Sequence, residues 1–450
     1  MARNENMASM NETPSRSITI PEQSSKEKLF ENIKEAEERL AQPQSQSSKP
    51  KIQRVPDMLR DHRKFEKYYE PRAVAIGPFH HNKARCQLAE KFKPALAAKF
   101  IKESGRQAED LHKVIEDNIS TLKDCYNEEA TRSYTDEVLT DLLFLDGCST
   151  LQFIYSFMHH ELASFKIKRD QVAFAKQDLF LLENQLPYQV LELLMQKSDK
   201  QADLKTVIDD FVRETADKRT RPLGGTSINM EEPPAHLLEL LRTEMLGPPD
   251  RHKKKKHKDR RQSFRNIQEL KAAGIHLKPS KRSTLRDISF TSLGFVGFLS
   301  LPPISVNDSM GPKFLNLVAY EMCPDFQNDF GVTSYICFLD SLIDHADDVK
   351  QLRKAGVLRN FLGSDEEVAK LFNEIGTDLV PNSETYLSVY GQLEVHCKTK
   401  WKTKLTVWMA QFYHDHFRSP WAIMALLGAL AVLGLTGIQT WYTIHPPSTA

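Results

Sequence analysis

A chain of 450 residues with 27% charged side chains is long enough to bury a sizeable core and to form two to four domain-sized units. Its 61 basic and 60 acidic side chains cancel to +1, which excludes a whole-protein field that would draw in nucleic acid or another polyanion. The six cysteines, Cys86, Cys125, Cys148, Cys323, Cys337 and Cys397, are scattered without a CxxC, which excludes a close-spaced thiolate metal motif and points to reduced thiols rather than a disulfide framework.

Residues 1–50 are rich in Ser, Gln, Glu, Asn and Pro and read as a disordered polar tail, although Phe30, Ile33 and Leu40 would suit one short amphipathic helix. No apolar signal segment is seen in the first thirty residues. From 51 to 419 the texture is that of one large, mainly α-helical soluble domain. Apolar side chains recur at helical spacing in Leu111, Val114, Ile115, Ile119 and Leu122, and again in Leu204, Val207, Ile208, Phe211 and Val212. The denser stretches Val138 to Phe157 and Leu179 to Met195 predict central helices, with Pro187 at a helix start and Glu183, Asn184 and Gln185 placed to cap it.

Between about 215 and 265 the pattern lapses into Gly, Pro and charge, the mark of a flexible insert, with one short helix predicted from His236 to Met245. Residues 285–306 place Ile288, Phe290, Val296, Phe298 and Ile304 among Gly and Pro, so a minor β element is predicted there. Helical spacing resumes at Phe314 to Glu321 and Val332 to Ile343. Ser364 with Glu367 forms a capping box ahead of Val368, Leu371, Phe372 and Ile375. From Asn382 the spacing of Tyr386, Val389, Leu393, Cys397 and Trp401 predicts one long helix.

The span 420–444 is uncharged from Trp421 to Tyr442, with Trp421, Trp441 and Tyr442 at its ends, and predicts a single transmembrane helix followed by a short tail, 445–450. Lys402, Lys404 and Arg418 precede it and no basic residue follows. The expectation is therefore a tail-anchored, single-pass protein in the plasma membrane or endoplasmic reticulum, its bulk cytosolic and a lipid bilayer its first partner. Gly428 and Gly434 belong to a run of small residues that would let a second copy approach, so a homo-oligomer is open.

Few residues advertise chemistry. His80 and His81 are adjacent, and adjacent side chains rarely point at one ion, so no metal site is expected. Cys148 sits among Leu142, Leu143, Leu145, Leu151 and Ile154, which predicts a buried, inert thiol rather than a nucleophile. No GxGxxG, GxxxxGK[ST] or GxSxG occurs, so neither a catalytic residue nor a cofactor is assigned. The run Arg251, Lys253, Lys254, Lys255, Lys256, Lys258, Arg260 and Arg261 is the sharpest electrostatic feature. It reads as a solvated loop, as a lipid-facing patch, or as a nuclear-import or nucleic-acid patch. Phe264 is the one aromatic close by, which disfavours nucleic acid.

Read in order, a set of segments resembles the plant family called domain of unknown function 247. They are Val55-Pro56, Gly77-Pro78-Phe79-His80-His81, Asp146-Gly147-Cys148, Glu183-Asn184-Gln185-Leu186-Pro187, Ala273-Gly274-Ile275, Asn316 to Glu321, and Leu362-Gly363-Ser364-Asp365-Glu366. The resemblance covers about Ile52 to Ile444 and implies a membrane-associated, mainly helical plant protein, with some relatives linked to self-incompatibility and none with an established catalytic activity. Asn82 stands where a glycine commonly follows the His pair, and Leu186 where isoleucine is common. The functional expectation is a membrane-tethered interaction or signalling module with a protein partner, and the alternative is an anchored hydrolase or transferase.

Overall fold

The computed structural model describes residues 22–41, 50–60, 66–217, 232–248, 266–294, 296–398 and 420–444. The basic run Arg251 to Arg261, His62, Trp401 and the tail 445–450 lie outside these residues. The chain divides into two units between Lys49 and Pro50. The first contains the helix Glu22–Ala41, on which Leu29, Phe30 and Ile33 are exposed.

The second unit is mainly helical and is organised around the helix Asp136–Met158. That helix begins where Thr135 accepts a hydrogen bond from the Val138 N–H, and Asp136 and Glu137 favour the positive end of its dipole. Beyond its first turn it has no continuous wet face: Leu139, Leu143, Cys148, Leu151 and Ile154 are all sealed, and so are Asp146, Ser149 and Thr150. A helix apolar on most sides belongs in the middle of a bundle. It packs there against Gln87–Ser104, Ala108–Glu116, Tyr188–Lys197 and Gln201–Thr215.

A second group of helices gathers around Met310–Glu321, packing against Leu237–Leu246, Gly331–Asp340 and Asp365–Gly376. Glu321 ties three of them. It accepts from Arg242 Nε at 2.8 Å, from the Val332 N–H at 3.0 Å and from the Thr333 N–H and hydroxyl at 2.8 and 2.7 Å. Asp329 accepts from both Arg242 and Arg286 beside it. A buried carboxylate with this many donors offsets its own desolvation.

The predicted β element is present and larger than expected. Strand β1, Ile275–Pro279, pairs in parallel with β3, Val296–Leu301, and β2, Ser289–Leu293, pairs antiparallel with β3. Strand β4, Ile304–Val306, pairs in parallel with β5, Leu358–Asn360. Ser364 caps Asp365–Gly376 through the Glu367 N–H at 3.2 Å, while the Glu367 carboxylate reaches back to the Gly363 N–H at 3.0 Å, one residue earlier than the usual box.

Three expectations are corrected. The apolar stretch from Leu179 is not helical until Tyr188, because a proline disfavours helix in the residue before it and Asn184 and Gln185 turn their amides onto the backbone. The long helix predicted from Asn382 starts instead at 387, after a turn in which Tyr386 takes a positive φ of 60°. The transmembrane helix is the third. Pro420–Ile444 is helical, but among the described residues no helix is long and apolar enough to cross a membrane. Thr436, Gln439 and Thr440 interrupt its apolar run.

Gly147 is where the central helix meets Tyr188–Lys197. A methyl group there would lie 2.7 Å from Leu194 Cδ1 and 2.8 Å from Val190 Cγ1, both fully buried. Alanine is the better helix former by about 1 kcal/mol, but overpacking costs about 1 to 3 kcal/mol. Gly147→Ala should therefore lower stability by about 1 kcal/mol in urea unfolding, and a stabilised variant would contradict this packing.

Candidate functional site

Two non-helical segments, 71–83 and 179–187, run through the interior beside one another, and their backbone groups have no ladder or helix to bond within. Side chains take that role. Asp178, at the end of the helix Arg169–Asp178, accepts from three consecutive N–H groups: Arg72 at 3.0 Å, Ala73 at 2.6 Å and Val74 at 2.9 Å. Asn184 accepts from the Ile76 N–H at 2.7 Å and donates to the carbonyls of Val74 and Asp178. Asp146 reaches out of the central helix to accept from the Gly77 N–H at 2.9 Å.

Gly77 has φ +69°, and a Cβ there would lie 2.8 Å from the Gln185 carbonyl oxygen, so this close crossing needs glycine. Gln185 donates to the carbonyls of Leu179 and Leu181, both at 2.8 Å, and accepts from the Leu238 N–H at 3.2 Å. It thus caps a helix, although Leu237–Leu246 rather than the one that follows it in sequence. Pro187 sits at the start of Tyr188–Lys197 without side-chain capping. Pro78 accepts from the Tyr134 hydroxyl at 3.0 Å.

Glu183 is fully enclosed, accepts from the Val55 N–H at 2.8 Å, and is ion-paired with Arg60. His80 Nε2 lies 3.5 Å from its other oxygen. Burial drives the His80 pKa down to about 3, so the imidazole is neutral beside that carboxylate. His81 instead faces the edge of Tyr134, with ring centroids 6.3 Å apart. Cys148 is sealed, and burial pushes its thiol well above the usual range. Among the described residues no group of His, Cys, Asp and Glu side chains could hold a metal ion. The structure thus brings His80 and Glu183 together and keeps His81 and Cys148 apart from them.

Against this web lies a partly open cavity of about 150 Å³, bordered by the helices Gln87–Ser104, Asp136–Met158 and Arg169–Asp178 and by the segment that Asp178 holds. Its walls are largely apolar, with Phe92, Leu96, Phe153 and Phe174 prominent. None of His80, His81, Glu183 or Cys148 lines it. Two interior cations were not singled out from the sequence. Lys93 is 2.6 Å from Asp146 and 2.7 Å from Glu90, and these carboxylates outweigh burial to hold its ammonium above the ordinary pKa. Lys313 lines a second, smaller cavity and donates to the Thr215 carbonyl at 2.9 Å, and burial lowers its pKa to about 8. The sequence signal for both is a lysine at helical spacing from apolar positions, Leu96 and Ala97 for Lys93 and Met310 and Leu317 for Lys313.

The profile of a plant family described as plant protein of unknown function, DUF247, matches residues 52–435. The chain belongs to this family. Two similar proteins come from Arabidopsis thaliana. The "UPF0481 protein At3g47200" is 28% identical over 418 residues, covering 84% of this chain and 83% of its own length. The "Putative UPF0481 protein At3g02645" is 26% identical over 175 residues, 39% of this chain and 32% of its own length. No solved structure matches. The family-like segments Gly77 to His81, Asp146 to Cys148 and Glu183 to Pro187 are thus the parts of this DUF247 protein that cross one another in the core.

Asp178 makes this crossing sensitive to pH. Burial raises its carboxyl pKa to about 6, against the pull of its three N–H donors, whereas in the unfolded chain it titrates near about 4. The folded state therefore holds the proton more tightly. The contribution of this group to stability is full below about 4 and is lost as pH rises through about 6. Urea unfolding at pH 5 and pH 7 should show the advantage of the wild type over Asp178→Asn to be larger at pH 5, by roughly 1 kcal/mol. An advantage that is equal at both pH values, or larger at pH 7, would contradict the assignment.

Proposed function

We propose that this DUF247 chain is an interaction module that recognises a protein partner. The observation that carries the reading is how its reactive-looking side chains are used. His80 and Glu183 are enclosed by one another and by Arg60 and Val55, Cys148 is sealed in the central helix, and the cavity of about 150 Å³ is lined by none of them. A nucleophile or general base must reach the atom it attacks, within about 3 Å of a plausible substrate position. Large apolar side chains also stand out at loop tips. Leu293, at the β2–β3 turn, is 78% exposed, and Phe361, just after β5, is 66% exposed. Side chains of this kind serve as anchors when a partner covers them.

Proximity labelling in plant tissue with the full chain tests the reading. It should mark a reproducible set of proteins that is lost in a Leu293→Asp/Phe361→Asp double variant with an unchanged circular dichroism spectrum. An identical set from wild type and variant would overturn it. So would turnover of ester or acyl-transfer substrates by the purified protein that Cys148→Ser or His80→Gln abolishes without unfolding.

A further inference from the structure

The cavity beside the Asp178 cradle has a defined size, lining and charge. Its volume of about 150 Å³ is that of a void able to take one benzene-sized ring, and Phe92, Phe153 and Phe174 offer the apolar and aromatic contacts such a ring prefers. The charged side chains on its wall are Arg72, Arg85 and Lys93, all cations, and no carboxylate lines it. The three are not equivalent. Lys93 is spent on Asp146 and Glu90, and Arg85 shares Glu70 with Lys83 at 3.3 Å. Arg72 has no ion pair within 4.0 Å among the described residues, although its charge reaches the Asp178 carboxylate at longer range, and it lies over the ring of Phe174, 4.0 Å from its centroid.

The position of Arg72 is built rather than incidental. Its own N–H and the next two are fixed by Asp178, so the backbone that carries the guanidinium is held against the cavity while the side chain stays open to solvent. A guanidinium presents paired donors matched to a carboxylate. Ser149 and Thr150, both buried on the central helix, add hydroxyls to the same wall.

We infer that this cavity is a binding site for a small aryl or short-chain carboxylate, its apolar body among Phe92, Phe153 and Phe174 and its carboxylate on Arg72. Nothing in this inference depends on the protein-partner reading, and its failure would leave that reading intact. A neutral molecule of the same shape should fill the cavity without satisfying Arg72, and it should bind more weakly.

Titration calorimetry on the full chain with benzoate and with benzyl alcohol separates the contributions. Benzoate should bind at least tenfold more tightly than benzyl alcohol. Arg72→Gln, an exposed substitution that keeps the cavity, should remove that preference and leave benzyl alcohol unaffected. Ala89→Phe, which places a ring into the cavity from a partly exposed position on its wall, should abolish binding of both while the circular dichroism spectrum is retained. Ala175→Phe serves the same purpose from the opposite helix. The proposal is overturned if neither ligand binds, if benzoate shows no preference over benzyl alcohol, if Arg72→Gln binds benzoate as the wild type does, or if folded cavity-filling variants still bind.

Discussion

Two stretches of irregular chain pass through the interior of this protein, and their backbone groups must be hydrogen-bonded where water does not reach. A buried donor or acceptor left alone costs about 1 to 3 kcal/mol, so a handful of unmet groups at 71–83 and 179–187 would exceed the net stability of a typical domain. Asp178, Asn184 and Asp146 meet the N–H groups of Arg72, Ala73, Val74, Ile76 and Gly77, and Gln185 meets the carbonyls of Leu179 and Leu181. The family-like polar residues are explained by this demand before any chemistry is asked of them.

The same demand joins the two groups of helices. Asn316, on Met310–Glu321, accepts from the Leu182 N–H at 2.8 Å and donates to the Tyr68 carbonyl at 2.9 Å, so the 179–187 crossing is held from both sides. Gln185 extends the link to Leu237–Leu246, which Arg242 then ties to Glu321. A disturbance at Glu183 or Asn184 thus reaches elements more than a hundred residues away in sequence through direct bonds rather than through a remote effect.

For function, the consequence is a division of labour. The enclosed polar web sets position, and the cavity next to it, with Arg72 held at its wall, is what the fold leaves available to a small molecule. The lowered pKa of His80 follows from burial that makes it a filler of the Glu183 environment rather than a proton carrier near neutral pH.

The sequence by itself determined the mainly helical class, the central helix at Asp136–Met158, the capped helix after Ser364, the strands near 289–306 and the buried thiol of Cys148, because each follows from local periodicity or from a neighbour a few residues away. It misled where an apolar run admits more than one outcome. Leu179 to Leu186 has the composition of a helix, yet its side-chain amides are claimed by the distant Ile76 and Leu238 N–H groups, and the apolar run near the C-terminus has the composition of a membrane span, yet among the described residues no helix is long and apolar enough to cross a membrane. Only the tertiary structure decided that His80 meets Glu183 and not His81, that Asp178 cradles the Arg72 backbone, and that Arg72 shares a cavity with Phe153 and Phe174. These pairings join residues 81 to 106 positions apart, and no periodicity in a single sequence carries contacts at that separation.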